Sequence, residues 1–258
     1  MKKYLEKQIE NFIRKYESKS QTKWGKPLVG FADADLTSLK SVISPAHATG
    51  QDVIERPTVI LAYFVPFLKD MAQTNIEAGT ASPQWALGYE ETNAMFGELN
   101  QHIINLLKGE GYRAAVSPEA GAFDRELLIS NWSQRHIAYA AGLGTFGLNN
   151  MLITKRGCCG RISTVVTDLP VTPDSPMKEE LCIYKRSGKC GLCADRCPSG
   201  ALTRNGYDRE KCFQVCRENA AIYNSFGNSY ASEPGQPAED TGSEVCGKCV
   251  AGMPCAFL

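Results

Sequence analysis

The sequence has no excess of charge of either sign, because 28 lysines and arginines stand against 28 aspartates and glutamates. Proteins that hold nucleic acid by overall electrostatic attraction carry a basic excess, so only a local basic patch is compatible with that function. No uninterrupted apolar run is long enough to span a membrane. The first residues, MKKYLEK, lack the apolar stretch of a signal peptide. We therefore expect a cytoplasmic protein with no membrane partner.

Histidine is also scarce, with three residues, whereas cysteine is abundant, with 11. Nine of the cysteines fall in the last 77 residues. The first block reads Cys182-x7-Cys190-x2-Cys193-x3-Cys197-Pro198, the second reads Cys246-x2-Cys249-x5-Cys255, and Cys212 and Cys216 lie between them. A cytosolic compartment keeps thiols reduced, so clustered cysteines there indicate metal ligands rather than disulfides.

The three-residue gap before Cys197 and Pro198 is typical of bacterial ferredoxins. In those proteins the cysteine before the proline serves the other cluster of a two-cluster pair. Two 4Fe–4S clusters need eight thiolates, and this rule distributes them crosswise between the two blocks. The predicted ligands are Cys182, Cys190, Cys193 and Cys255 for cluster one, and Cys197, Cys212, Cys246 and Cys249 for cluster two.

Zinc is the main alternative, because two Cys-x2-Cys pairs can hold one ion. It would use Cys190, Cys193, Cys246 and Cys249 and would leave the other cysteines of the region without a role. The iron–sulfur interpretation is favoured, with two choices left open. A standard ferredoxin motif has a cysteine where this chain has Ser187, so either Cys182 or Ser187 completes cluster one. Preferring Cys212 to Cys216 is also a matter of judgement.

Helices and strands are predicted to alternate over the first 170 residues. The spacing of apolar residues predicts helices near residues 5–16, 90–108 and 132–141, strands at 27–34, 57–67, 112–116, 151–154 and 162–167, and a loop over 70–90. This order is typical of an α/β domain. Prolines at 170, 173 and 176 mark a linker. We therefore predict an α/β domain over residues 1–176 and a small domain, built on metal ligands, over 177–258.

A glycine-rich turn, GLGTFG at residues 142–147, matches the pattern G-x-G-x-x-G. A dinucleotide site requires a strand before this pattern and a helix after it. Here the preceding segment is rich in alanine and helical in character, and a strand follows. NAD binding is therefore not expected. The turn is either a tight turn or a place where the backbone approaches another cofactor closely.

These segments carry a family resemblance. The run from Ala141 to Asn149 (AGLGTFGLN), the strand LIT, the strand RISTVVTDL and the later CPSGA at 197–201 resemble epoxyqueuosine reductase. The resemblance spans roughly residues 25–258 and is strongest from 136 onward.

The resemblance implies a nitroreductase-like α+β domain that holds a cobalamin, followed by a ferredoxin-like domain with two 4Fe–4S clusters. Related reductive dehalogenases share this arrangement. The clusters would pass single electrons from an external low-potential donor of the ferredoxin or flavodoxin type to the corrinoid. By this analogy the corrinoid would lie against the glycine-rich turn, at Gly142, Leu143, Gly144, Gly147 and Asn149.

The chain departs from the family pattern at two places. The position of the family's catalytic aspartate falls on Leu128, so the proton donor is not retained there. Members usually continue into a helical-repeat region implicated in tRNA binding, whereas this sequence ends at Leu258. A short, divergent branch is therefore expected, and the tRNA substrate does not carry over.

Other residues near the turn are candidates for proton transfer. His136 could donate a proton or contact a corrinoid, or it could simply lie on the helix surface. Asp124, with Glu126, could replace the missing aspartate or be a solvated loop carboxylate, and Tyr139 could protonate a substrate or belong to the core. Cys158 and Cys159 are not needed as ligands, and buried packing is favoured over reactivity.

We therefore expect an iron–sulfur oxidoreductase that reduces a small or unidentified substrate through a corrinoid. The alternative is an electron-transfer or activator protein that supplies a separate corrinoid or redox enzyme and does no chemistry of its own. A zinc-stabilised binding module is a third, less favoured interpretation.

Overall fold

The computed structural model describes residues 1–77, 79–120, 123–227 and 242–258. The helices are α1 (Lys2–Tyr16), α2 (Lys69–Thr74), α3 (Pro83–Gly109), α4 (Gln134–Ala140), α5 (Ile183–Ser187), α6 (Leu192–Asp195) and α7 (Arg209–Ile222). The strands are β1 (Leu28–Asp33), β2 (Val59–Pro66), β3 (Ala114–Ala115), β4 (Gly144–Phe146), β5 (Leu152–Thr154) and β6 (Gly160–Thr167).

A four-stranded sheet with the order β1-β2-β6-β3 forms the centre of the fold. Every pair in it is antiparallel, and β4 and β5 form a separate antiparallel pair. The prediction of a mixed fold of helices and strands is confirmed. The antiparallel pairing places it in the α+β class, because a doubly wound α/β fold would have parallel strands.

Strand β2 is buried at all eight positions because the sheet is covered on both faces. Its odd-numbered residues, such as Leu61 and Tyr63, pack in one cluster with α1 and α3. Its even-numbered residues, such as Ile60 and Ala62, pack in a second cluster with α4. This alternation follows from the two-residue period of a strand. It explains why the sequence of β2 is continuously apolar.

The prediction of a loop over residues 70–90 is wrong. Helix α2 covers Lys69–Thr74, and α3 begins at Pro83, seven residues earlier than the predicted start. The start signal is local: Ser82 is the N-cap, its Oγ accepts a hydrogen bond from the Trp85 N–H at 3.1 Å, and Pro83 occupies the first turn. Apolar periodicity is weak over this first part of α3, because the cysteine-rich segment covers it from a second side.

The cysteine-rich segment shares the core of the first part of the chain. Apolar side chains on both sides of the predicted boundary at residue 176 belong to one cluster, which includes Leu202, Tyr223, Val245, Val250 and Met253 together with α1, α3 and β2. Hydrogen bonds join the two parts as well, such as Ser243 Oγ to Glu90 Oε1 at 2.8 Å. The segment therefore contributes apolar side chains to a hydrophobic core in addition to its thiols. Among the described residues, no helix has the length and apolar character needed to cross a membrane.

Candidate metal centre

Four cysteines, three from the first block and one from the second, line one cavity. Cys182, Cys190, Cys193 and Cys255 are all among its lining residues, and it is partly open to solvent. Apolar residues such as Leu148, Ile153 and Met253 form much of the remaining wall. These four are the residues assigned to cluster one from the sequence, and the cavity collects thiols from both cysteine blocks.

Local turns bring the first three of these thiols together. Cys182 is the N-cap of α5, and that helix ends at Gly188, whose positive φ of 70° suits a left-handed C-cap. Gly191, with φ 138°, turns the chain again before α6, which carries Cys193. Each turn needs a backbone conformation that glycine adopts without strain. The short α5 and its glycine end thus accommodate the long gap between Cys182 and Cys190.

The fourth thiol comes from the end of the chain, which pairs with the start of β6. The N–H of Cys158 donates to the carbonyl oxygen of Cys255 at 3.0 Å, and the N–H of Cys159 donates to that of Ala256 at 3.3 Å. Gly157 has to be glycine here, because a Cβ at that position would overlap the Ala256 backbone. These contacts fix Cys255 beside the first cysteine block.

Ser187 is exposed and is not among the residues that line the cavity with Cys182. Its hydroxyl donates to the carbonyl oxygen of Ile183 at 2.8 Å, which is an ordinary bond within a helix. Cys182 is 6% exposed, and it is one of the lining residues. Of the two candidates for the last ligand of cluster one, the geometry therefore favours Cys182.

A second group of thiols lies beside the first. The Cys249 thiol is within electrostatic reach of Cys246, Cys212 and Cys197, the four residues assigned to cluster two. It is also within reach of Cys193, so the two groups are neighbours. Cys216 lies one helical turn after Cys212 on α7 and hydrogen-bonds with it. The second group thus has five thiols for four ligand positions.

Individual thiols in these groups differ in pKa before any metal binds. The hydrogen bond with Cys216 lowers the pKa of Cys212 to about 6, and Tyr207 and Arg135 act in the same direction. Burial raises the pKa of Cys193 to about 11 and that of Cys249 above its usual range. A bound metal cation deprotonates a coordinating thiol outright and would override both increases.

Two buried asparagines hold the turn that carries Cys246 and Cys249. The side-chain amide of Asn75 donates to the carbonyl oxygen of Cys246 at 2.8 Å, and that of Asn149 donates to Cys249 at 2.9 Å. Asn75 is 0% exposed and Asn149 is 3% exposed. Asn75 follows α2 and Asn149 follows the glycine-rich turn, so two separate segments of the first part of the chain hold this turn.

All eleven cysteines are described and none of them forms a disulfide. Cys158 and Cys159 are both buried, as the packing interpretation expects. The Cys158 sulfur lies 3.9 Å from that of Cys255, and the Cys159 sulfur faces the carbonyl oxygen of Val250 at 3.4 Å. Within the described ranges, no three His, Cys, Asp or Glu side chains are gathered closely enough to hold a single metal ion.

The glycines of the predicted cofactor turn are packed against the chain itself. A Cβ on Gly142 would lie 2.5 Å from the carbonyl oxygen of Ser175, and one on Gly144 would overlap the carbonyl oxygen of Ile153. Leu143 is 7% exposed and belongs to the core. As placed, these glycines do not fit a corrin ring lying against the turn. The contact between a corrinoid and this turn stays a prediction.

No protein-family model matches the chain. Over 82 residues, 31% of this chain and 20% of the relative, it is 35% identical to an epoxyqueuosine reductase of Staphylococcus aureus. Over 68 residues, 26% of this chain and 12% of the relative, it is 43% identical to a tetrachloroethene reductive dehalogenase of Desulfitobacterium hafniense. The matched stretch therefore spans a fifth or less of these curated relatives.

Solved structures show the same fold. An epoxyqueuosine reductase from Bacillus subtilis matches with a TM-score of 0.53 at 17% identity, covering 95% of this chain and 64% of that one. A catabolic reductive dehalogenase matches with a TM-score of 0.52 at 16% identity, covering 86% of this chain and 31% of that one. The chain is thus similar to epoxyqueuosine reductases in part of its sequence and in its fold. The resemblance noted in the sequence is thereby confirmed.

His136 and Tyr139 lie on α4, and both rings contact Phe146. The ring centroids are 4.8 Å apart for His136 and 5.9 Å apart for Tyr139. His136 Nδ1 also hydrogen-bonds with Ser133 Oγ at 2.7 Å. Burial lowers the pKa of His136 to about 4, helped by the positive charge of Arg135. His136 is therefore neutral at pH 7 and is not a general acid there.

Asp124 lies in a separate turn, and its carboxylate accepts hydrogen bonds within that turn. Its Oδ1 accepts hydrogen bonds from the N–H groups of Glu126 and Leu127 at 2.9 and 2.8 Å. Leu128, at the position of the family's aspartate, is 7% exposed and has a positive φ of 52°. The structure thus brings His136 and Tyr139 together but leaves Asp124 as a residue that stabilises a turn.

Sequence reasoning missed two residues that hold the second cysteine block. Asn75 carries no sequence signal, because a single asparagine after a helix is ordinary. Lys248 lies inside the Cys-x2-Cys pair, but its burial, with 1% of the residue exposed, is visible only in the structure.

Proposed function

We propose that this chain is an iron–sulfur reductase that holds two 4Fe–4S clusters. Cys182, Cys190, Cys193 and Cys255 would bind cluster one, and Cys197, Cys212, Cys246 and Cys249 would bind cluster two. The clusters would accept single electrons from an external low-potential donor of the ferredoxin or flavodoxin type. They would pass these electrons to an acceptor held by the first part of the chain.

One observation carries the proposal. The cavity collects Cys182, Cys190 and Cys193 from one block and Cys255 from the other, as the Cys-Pro rule requires for a two-cluster unit. A zinc site made of the two Cys-x2-Cys pairs would instead need Cys190 and Cys193 to share one ion with Cys246 and Cys249. Cys246 and Cys249 both interact electrostatically with Cys212 and Cys197, which supports grouping these four.

When bound, the clusters supply one-electron transfer at potentials set by charge, hydrogen bonds to sulfur and solvent exposure. The residues of the chain control these three quantities. Apolar side chains around Cys193 and Cys255 limit access of water. The N–H of Leu202 donates to the Cys197 sulfur at 3.4 Å, and that of Lys248 donates to the Cys246 sulfur. The adjacency of Cys193 and Cys249 gives electrons a short path between the groups.

Metal and sulfide analysis of protein purified without oxygen tests the proposal. We expect brown protein with about eight irons per chain, and about four in the Cys193→Ala variant. The matched control is Cys159→Ala, a buried cysteine outside both groups, which should keep all the iron. Colourless protein containing zinc, or equal iron contents in the two variants, would refute the proposal.

The acceptor is tested separately with the iron-loaded protein. Cobalamin is added, and its binding is followed by its visible spectrum under reducing conditions. Binding together with reduction of the cobalt supports a reductase with a corrinoid of its own. Loaded clusters with no cobalamin binding support the activator alternative, in which the electrons go to a separate enzyme.

A further inference from the structure

Lys248 is a buried cation without an anionic partner in the part of the chain that the structure describes. Its side chain is 1% exposed, and Nζ donates to the carbonyl oxygens of Asn75 at 3.1 Å and Glu77 at 2.7 Å. These bonds satisfy two of its three hydrogens but leave its positive charge without a counter-charge. Buried charges are costly unless they are paired, so an anion is expected nearby.

The candidate anion lies on the same turn. Lys248 stands between Cys246 and Cys249, and its ammonium group is within electrostatic reach of the Cys246 thiol. A 4Fe–4S cluster with four thiolate ligands carries net negative charge, because the thiolates outweigh the charge of the iron–sulfide core. Its one-electron reduction adds a further negative charge. A cation fixed in surroundings of low dielectric constant stabilises that reduced form more than the oxidised one.

We propose that Lys248 is the counter-charge of cluster two and raises its reduction potential relative to that of cluster one. This inference rests on the proposed function, since it requires the cluster to be present. The two carbonyl oxygens act as a clamp that holds the ammonium group in place. No equivalent buried lysine is described beside Cys190 and Cys193, where the adjacent Lys189 is exposed. The two clusters would therefore differ in potential, and cluster two would hold the electron longer.

The test uses Lys248→Gln, which keeps hydrogen-bond donors for the two carbonyl oxygens but removes the charge. Its matched control is Lys211→Gln. Lys211 adjoins another ligand of the same cluster, but its side chain is 63% exposed and pairs with Asp208 at 3.6 Å. Both reduction potentials are measured by redox titration followed by electron paramagnetic resonance. The potential that is missing from a Cys246→Ala variant belongs to cluster two.

In Lys248→Gln, we expect the equilibrium constant for reducing cluster two to fall about tenfold, which is about 59 mV for one electron. Cluster one and the Lys211→Gln protein should change much less. Two clusters with unchanged potentials in Lys248→Gln would overturn the inference and leave the proposed function intact. Absence of clusters from the wild-type protein would overturn both.

Loss of iron has a defined meaning as well. If Lys248→Gln loses about four irons while Lys248→Arg keeps about eight, the positive charge is needed to retain the anionic cluster, and the inference is supported. If both variants lose the same iron, Lys248 acts only by holding the turn in place, and the inference is wrong.

Discussion

The side-chain amide of Asn149 donates a hydrogen bond to the carbonyl oxygen of Cys249, with 2.9 Å between nitrogen and oxygen. The Oδ1 of the same residue accepts a hydrogen bond from the N–H of Met151 at 3.2 Å. One buried side chain therefore joins the glycine-rich segment to the turn that carries two thiols. The segment that resembles a cofactor-binding turn is in this way part of the support of the candidate metal centre.

Replacing Asn149 with alanine should destabilise the protein by about 1–3 kcal/mol, because the buried carbonyl oxygen of Cys249 loses its donor. Iron-loaded Asn149→Ala protein should also lose iron faster when it is challenged with a chelator. Thermal unfolding under nitrogen and the rate of iron release measure the two effects. Asn105→Ala is the control, because the Asn105 side chain is exposed and hydrogen-bonds with the side chain of Gln101. Equal behaviour of the two variants would show that the Asn149 bond contributes nothing to the site.

Cys182 and Ser187 should respond differently to substitution. Ser187→Ala removes a hydroxyl that donates to the Ile183 carbonyl oxygen, so about eight irons should remain. Cys182→Ala removes a thiol from the cavity wall and should lower the content to about four. Iron and sulfide analysis of both proteins provides the measurement. A loss of iron in Ser187→Ala alone would mean that the first cluster has a serine ligand.

The sequence predicted the elements whose signals are local. The apolar run of β2 and the periodic spacing in α1 needed no further information, and both elements were found. The two ligand sets were assigned from spacing and one proline rule, and they stay a prediction. The start of α3 was missed because its first turns face the cysteine-rich segment, so their pattern reflects contacts that are remote in the sequence. For the same reason the clamps formed by Asn75 and Lys248 could not be predicted.

The titration of His136 can be followed by nuclear magnetic resonance of its ring protons. Its folded pKa of about 4 lies below the ordinary value of 6.5, so the folded protein favours the neutral ring. This contribution to stability is complete above about pH 6.5 and is lost as the pH falls toward 4. The His136 signals, identified by their absence from His136→Gln, should therefore not shift between pH 8 and 5. A midpoint near 6.5 would contradict the buried, neutral state.

Two glycine-to-alanine substitutions should have opposite effects on stability. A Cβ at Gly144 would meet the carbonyl oxygen of Ile153 and push β4 away from β5, which should cost about 1–3 kcal/mol. Gly97 lies in the exposed middle of α3 with no atom near its Cβ position, so alanine there should stabilise the helix by about 0.5–1 kcal/mol. Thermal unfolding of both iron-loaded variants shows whether each substitution raises or lowers the stability of the protein. If Gly144→Ala were as stable as the wild type, close packing would not be the reason for glycine at this turn, and its backbone would be free to face a cofactor.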